Sequence, residues 1–186
     1  AAMLNAGITP ITGEYGSLGC SGDLAPLAHA ALALTGEGIV RDKAGTQMPA
    51  AEALAAAGLE PITLREKEGL ALINGTDGML GQLILALTDL DTLVTTADLT
   101  TAMTVQALCG IDAVFAPDLQ ALRPHEGQKL SAANIAALLK DSPLIQAGKS
   151  EESKRVQDAY SLRCAPQVTG AVRDTMAHAA HVAQVE

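Results

Sequence analysis

Asp77-Gly-Met-Leu-Gly-Gln-Leu-Ile-Leu-Ala-Leu-Thr-Asp-Leu-Asp-Thr-Leu-Val-Thr-Thr-Ala-Asp-Leu-Thr-Thr-Ala-Met-Thr-Val-Gln-Ala-Leu-Cys-Gly110 is the stretch on which the fold turns. Leu83, Leu87, Leu90, Val94, Ala97, Thr101, Val105 and Leu108 recur in it at steps of three and four, a spacing that puts them along one side of an α-helix. At ~1.5 Å per residue such a helix runs ~50 Å. Composition points the same way. The chain has no Trp, one Phe (Phe115) and two Tyr (Tyr15 and Tyr160), with Ala and Leu abundant throughout, and an aliphatic core of that kind favours packed helices over sheets. The expected fold class is mainly α, a helical bundle with a long central helix and one small β-hairpin.

Working outward, the hairpin is expected where Ile39-Val40 and Gln47-Met48 flank a turn built on Asp42-Lys43-Ala44-Gly45. Before it, Gly7 to Gly22 reads as an irregular, Gly-rich loop, and Asp23 stands where a helix over Leu24 to Thr35 begins. After it, Pro49 at a first helical position opens a helix over Ala50 to Ala57, with Gly58 as its stop. Thr63 to Ile73 is expected to be helical and to end in a backbone break at Asn74-Gly75-Thr76. Pro117 to Leu122 and Ser131 to Leu139 read as two shorter helices, the second capped by Ser131 and ended by Ser142-Pro143. Gln146 to Lys154 is polar and expected to be an exposed connection, and Pro166 starts a final helix running toward Glu186. The whole reads as one α-helical unit without repeats.

The charge balance, 12 basic against 21 acidic residues and a net charge of −9, argues against nucleic acid or anionic lipid as partners. Asp, Thr, Gln and Gly interrupt the apolar stretches before ~18 residues accumulate, so no membrane span is expected. Cys20, Cys109 and Cys164 are far apart, with no CxxC spacing and no even set; the expectation is a reducing cytoplasm and no disulfide framework. His29, His178 and His181 have no convergent Cys or carboxylate pattern, so no metal is expected. Helical patterns run into both ends, which reads as residues 1–186 being one central fragment of a larger catalytic domain.

The segment Gly16-Ser-Leu-Gly-Cys-Ser-Gly-Asp-Leu-Ala-Pro-Leu-Ala-His29 resembles the signature of the aromatic amino acid ammonia-lyases, a family that includes histidine, phenylalanine and tyrosine ammonia-lyases and related aminomutases. In that family an Ala-Ser-Gly tripeptide cyclises into the prosthetic group 4-methylidene-imidazol-5-one, abbreviated MIO. Carried onto this chain, Cys20, Ser21 and Gly22 form the group: the Gly22 amide nitrogen attacks the Cys20 carbonyl carbon, and Ser21 loses its hydroxyl as water to leave an exocyclic, electrophilic methylene. Gly22 suits the role because a residue without Cβ permits the compressed approach. Cys20 replaces the commoner Ala, and its side chain becomes a ring substituent that takes no part in closure. A phosphate-binding loop is the competing reading, but no Lys follows and Asp23 would repel phosphate.

Two further strings carry the resemblance. Gly69-Leu-Ala-Leu-Ile-Asn-Gly-Thr76 resembles the stretch whose Asn contacts the prosthetic group, which makes Asn74 a donor to the ring carbonyl. Arg155-Val-Gln-Asp-Ala-Tyr-Ser-Leu-Arg-Cys-Ala-Pro-Gln-Val168 resembles the substrate-binding strip and is closer to the histidine branch than to the plant phenylalanine enzymes. There Arg163 is implied to clamp the substrate carboxylate, Gln157 to add a polar contact, and Tyr160 to sit over the prosthetic group as a hydrogen-bonding or proton-handling residue. Arg123-Pro-His-Glu-Gly-Gln128 resembles a family loop of structural role.

The resemblance implies the fold of the aspartase and fumarase-like ammonia-lyases, a homotetramer, and non-oxidative elimination of ammonia from an L-amino acid, urocanate being the product from L-histidine. It also implies that residues from outside this segment complete the site. The 186 residues alone are therefore expected to be inactive, with the tripeptide left uncyclised and the long-helix region prone to associate. Competing readings are a phenylalanine or tyrosine ammonia-lyase, an aminomutase, and a non-catalytic helical scaffold.

Overall fold

The computed structural model describes every residue except 17–21 and 151–154, and the chain divides into two units, Ala1–Gln82 and Leu83–Glu186. In the first unit α1 (Ala2–Asn5) precedes β1 (Thr9–Pro10), α2 (Leu24–Leu34), β2 (Ile39–Arg41), β3 (Gln47–Pro49), α3 (Ala50–Ala56) and α4 (Glu68–Ile73). The expected hairpin is present, antiparallel, with Val40 opposite Met48 and Arg41 opposite Gln47. Its turn is held by the Asp42 carboxylate, which accepts from the Ala44 and Thr46 amides at 2.9 and 2.8 Å. The sheet is larger than a hairpin, because β1 adds a third strand beside β2, Thr9 facing Arg41 and Pro10 facing Val40. Glycines around this stretch suggested an irregular loop, yet Ile8 buries against the same small core as Val40, Ala33 and Leu54 and brings the next two residues into register. Pro10 is tolerated because β1 lies at the sheet edge, where a missing N–H costs no central ladder bond.

Helix boundaries in this unit depart from the sequence pattern in two places. Pro49 is the N-cap of α3 instead of its first residue, a one-residue difference of the usual kind. The helix expected from Thr63 starts only at Glu68. Lys67 has φ +67, a left-handed conformation through which a right-handed helix cannot run, and the Glu68 carboxylate turns back to accept from the Arg65 amide at 2.7 Å. The break at Asn74–Thr76 is as expected, with Asn74 ending α4.

The second unit takes α5 (Asp77–Ala107) from Leu83 onward, then a 3-10 turn (Asp112–Phe115), α6 (Pro117–Ala121), α7 (Glu126–Leu139), α8 (Pro143–Gly148), α9 (Tyr160–Arg163) and α10 (Ala165–Val185). Along α5 the buried residues are Val94, Asp98, Ala102 and Val105. The predicted stripe holds at Val94 and Val105 and is half-buried from Leu83 to Thr101. It fails at Leu108, 49% exposed beyond the end of the helix. Phe115, Ile135 and Ile145, each almost inaccessible, close the core with Ala102 and Val105. The architecture is mainly α, as the sequence implied.

Ser131 is not an N-cap. The helix begins at Glu126 with His125 as its cap, and Ser131 is fully buried within it, where its hydroxyl donates to Asp98 Oδ1. Asp98 Oδ2 accepts from Asn134 Nδ2 and from Arg173 Nη2, both at 2.8 Å, so one buried carboxylate joins α5, α7 and α10. Ser142 also does more than end a helix: its hydroxyl accepts from the Ile145 amide at 3.5 Å and starts α8, which occupies part of the stretch expected to be a connection. Pro166 lies in the first turn of α10, as expected.

The crossing of α7 and α10 is set by glycine on glycine. A Cβ on Gly127 would overlap the Gly170 carbonyl oxygen, and a Cβ on Gly170 would overlap the Gln128 amide nitrogen. Asp174 Oδ1 meanwhile accepts from the Gly127 amide at 2.8 Å. Gly170→Ala is therefore expected to destabilise the protein by about 1–3 kcal/mol, the cost of overpacking a closed contact, read as a lower urea midpoint at unchanged m-value; an unchanged midpoint would show that the helices separate freely.

The expectation that polar residues interrupt every apolar stretch does not hold here: by length and composition alone, Glu68–Ala107 includes an 18-residue window apolar enough to cross a bilayer, and none of that window is buried. Further along α5, outside that window, Asp98 is 1% exposed and paired with Arg173 of α10.

Candidate active site

The site residues expected from sequence fall in both units. In the first, Cys20 and Ser21 lie outside the described residues, whereas Gly22 is buried with φ +108, a conformation open to glycine and costly for any residue with a Cβ. A Cβ built there would overlap the carbonyl oxygen of Gly75, and its next neighbours are also Gly75 backbone atoms. The structure thus sets the last residue of the tripeptide directly on the Asn74-Gly75 break. Asn74 is the C-cap of α4 (φ −104, ψ 70), its amide donating to the Leu70 carbonyl at 3.0 Å. Beside it Asp23 Oδ2 approaches Gly78, 3.4 Å from where that glycine's Cβ would be. Asp23 stands at the N-cap position of α2, as expected, although its side chain makes no cap hydrogen bond to that helix.

In the second unit Gln157 and Tyr160 are exposed, Tyr160 by 72%. Tyr160 opens α9 and Arg163 ends it, three residues apart on one helical face, and the Arg163 guanidinium carbon lies 4.0 Å from the Tyr160 ring centroid. This is a cation–π arrangement. Arg163 Nε donates to the Asp158 carbonyl at 3.0 Å. A guanidinium held over a ring and tied at Nε keeps its two Nη groups for a planar carboxylate, which can take two parallel hydrogen bonds.

Against models of known protein families, the model described as aromatic amino acid lyase matches residues 1–186. The chain belongs to the aromatic amino acid lyase family. This lyase chain is 63% identical over all 186 residues to histidine ammonia-lyase of Streptomyces coelicolor and spans 36% of that protein's length. Among solved structures it resembles tyrosine aminomutase from Streptomyces globisporus, at 42% identity and a TM-score of 0.78 over 98% of this chain and 37% of that one. It also resembles histidine ammonia-lyase from Trypanosoma cruzi, at 37% identity and a TM-score of 0.71 over 94% and 31%.

Three residues that pack against these motifs were not singled out from sequence. Gly75 was passed over as the second half of an Asn-Gly turn, a dipeptide common enough to hide its role as the surface on which Gly22 rests. Asp158 and Gly110 went unnoticed. Asp158 is 5% exposed between exposed neighbours, and nothing in Val-Gln-Asp-Ala distinguishes a buried carboxylate from a solvated one.

Proposed function

We propose that this chain is the central part of a histidine ammonia-lyase, which eliminates ammonia from L-histidine without oxidation to give urocanate. The observation that carries the reading is the 63% identity over the whole chain to a histidine ammonia-lyase, with the three motifs inside the matched region. Backbone similarity alone ranks the tyrosine aminomutase above the Trypanosoma cruzi enzyme, TM-score 0.78 against 0.71. Ring choice depends on side chains more than on backbone path, so the identity is the better guide.

The residues present fit an MIO group. Its formation needs a close approach of the Gly22 nitrogen to the Cys20 carbonyl carbon, and Gly22 is already held at φ +108 against Gly75 in a space that excludes a Cβ. In the closure the Gly22 nitrogen would bond to the Cys20 carbonyl carbon, whose oxygen leaves as water with the Gly22 and Ser21 amide hydrogens as a C=N bond forms to the Ser21 nitrogen; Ser21 would then give up its Cα hydrogen and its hydroxyl as a second water. When formed, the group supplies an electrophilic methylene. Asn74 would hold it by donating to the ring carbonyl, where negative charge develops. Arg163 binds and orients the substrate carboxylate, Gln157 adds a polar contact, and Tyr160 supports the guanidinium and offers a hydroxyl for proton handling near the substrate.

The working unit in this reading is a cytoplasmic homotetramer. Leu85, Leu93 and Met103 on α5 are each more than half exposed, which supports burial of this helix between subunits.

The test uses the full-length protein containing this chain. Incubated separately with L-histidine, L-phenylalanine and L-tyrosine and followed in the ultraviolet, it is expected to convert histidine fastest; its intact mass should be two waters below that of the encoded chain, and borohydride or cyanide should inactivate it. Turnover at the full unmodified mass would overturn the MIO assignment, and a preference for tyrosine with β-amino acid as product would favour an aminomutase.

A further inference from the structure

We propose that Asp158 is a positioning residue that sets Arg163 to take the substrate carboxylate end-on, through Nη1 and Nη2. The proposal rests on the reading of Arg163 as the carboxylate clamp. Asp158 works through two different groups. Its buried carboxylate accepts from the Ile111 amide at 2.6 Å through Oδ2 and from Arg155 Nη1 at 3.1 Å through Oδ1. Its main-chain carbonyl accepts from Arg163 Nε at 3.0 Å. The Ile111 bond anchors the strip to a turn 47 residues earlier in the chain, just past the end of α5, and the Arg155 bond braces it within the strip; the main-chain carbonyl passes that anchorage to the guanidinium.

The surroundings are built for the anchor. Arg155 Nη2 donates to the Leu108 carbonyl at 2.6 Å, so the same arginine joins Asp158 to the end of α5 a second time. At Gly110 a Cβ would stand 2.9 Å from Asp158 Oδ2 and 2.9 Å from Val105 Cγ1. Only a glycine leaves room there for a carboxylate.

The consequence for recognition follows from the geometry of a guanidinium. A carboxylate can take its two hydrogen bonds side-on, from Nε and one Nη, or end-on, from the two Nη groups. The Asp158 carbonyl occupies Nε, and the guanidinium carbon lies over the Tyr160 ring. The end-on pair is left for a ligand. If the Asp158 carboxylate loses its anchor, the carbonyl is released with it and the guanidinium regains rotational freedom, which weakens ligands that carry a carboxylate and no others.

The experiment compares wild type with Asp158→Asn in the full-length enzyme, using L-histidine and, as a probe lacking the carboxylate, histamine as a competitive inhibitor. Asparagine keeps the shape of the side chain and removes its charge. The expected result is a rise in KM for L-histidine of about tenfold, the scale of one lost charge-assisted hydrogen bond, with kcat within about twofold and histamine inhibition unchanged. In an Arg163→Gln background the same substitution should have no further effect on KM, since the two residues act as one. Equal weakening of histidine and histamine, or additive effects of the two substitutions, would show that Asp158 is merely structural and overturn the proposal. If Asp158→Asn does not fold, Arg155→Met at its partly exposed partner carries the test, with a smaller rise in KM of the same carboxylate-dependent kind expected and no rise counting against it. If the wild type acts on another amino acid, that substrate and its decarboxylated amine replace the pair, so failure of the histidine assignment remains distinct from failure of this one.

Discussion

Gly22→Ala in the full-length enzyme is expected to leave Cys20-Ser21 uncyclised and to lower kcat about ten-thousand-fold or more, the scale on which loss of a covalent catalytic group is felt. Two independent features produce the effect. The residue holds φ +108, which an L side chain adopts only at a cost of order 1–3 kcal/mol, and its missing Cβ is replaced in space by the Gly75 carbonyl. Alanine must therefore push the Asn74-Gly75 break away, and with it the donor proposed for the ring carbonyl. The intact mass should rise to that of the encoded alanine chain without loss of two waters. A variant that still lost both and kept wild-type turnover would show that the contact between Gly22 and Gly75 has no part in forming the site.

Asp98→Ala is expected to destabilise the second unit by about 3–5 kcal/mol, the range for removing one member of a buried ion pair. The magnitude is large because three donors depend on one carboxylate. Arg173, 12% exposed at its side chain, would keep a charge with no partner in an environment poor in water, while Ser131 and Asn134 would lose their acceptor. Asp98→Asn should cost less, since an amide oxygen can still accept from one of the three. Equilibrium urea unfolding monitored by circular dichroism orders the proteins, with wild type most stable, then Asn, then Ala; equal midpoints for all three would mean that water already reaches the pair.

The candidate site residues could be named from sequence because their proposed chemistry is written in short strings. Cys20-Ser21-Gly22 is contiguous, and Asn74 precedes a glycine at a helix end. Tyr160 and Arg163 stand three residues apart, and a single helical turn brings ring and guanidinium to 4.0 Å, a contact the sequence reading did not include. What stayed hidden has no local mark. Asp158 differs from a surface aspartate only through its distant partners, the Ile111 amide and the groups around Gly110. Ser131 looked like a helix cap because serine before an apolar run usually is one, and it proved instead to be a buried donor to Asp98.

Helical character, the position of the long helix and the existence of the hairpin were determined by the sequence alone, since periodicity and turn residues act over a few neighbouring positions. Tertiary structure decided the third strand, the late start of α4, the glycine-on-glycine crossing of α7 and α10, and which carboxylates are buried. The third strand, the glycine crossing and the buried carboxylates depend on atoms from residues far apart along the chain meeting at van der Waals or hydrogen-bonding distance, which no pattern within a few residues encodes; the late start of α4 turns on the left-handed backbone of Lys67, which a lysine gives no sign of in sequence.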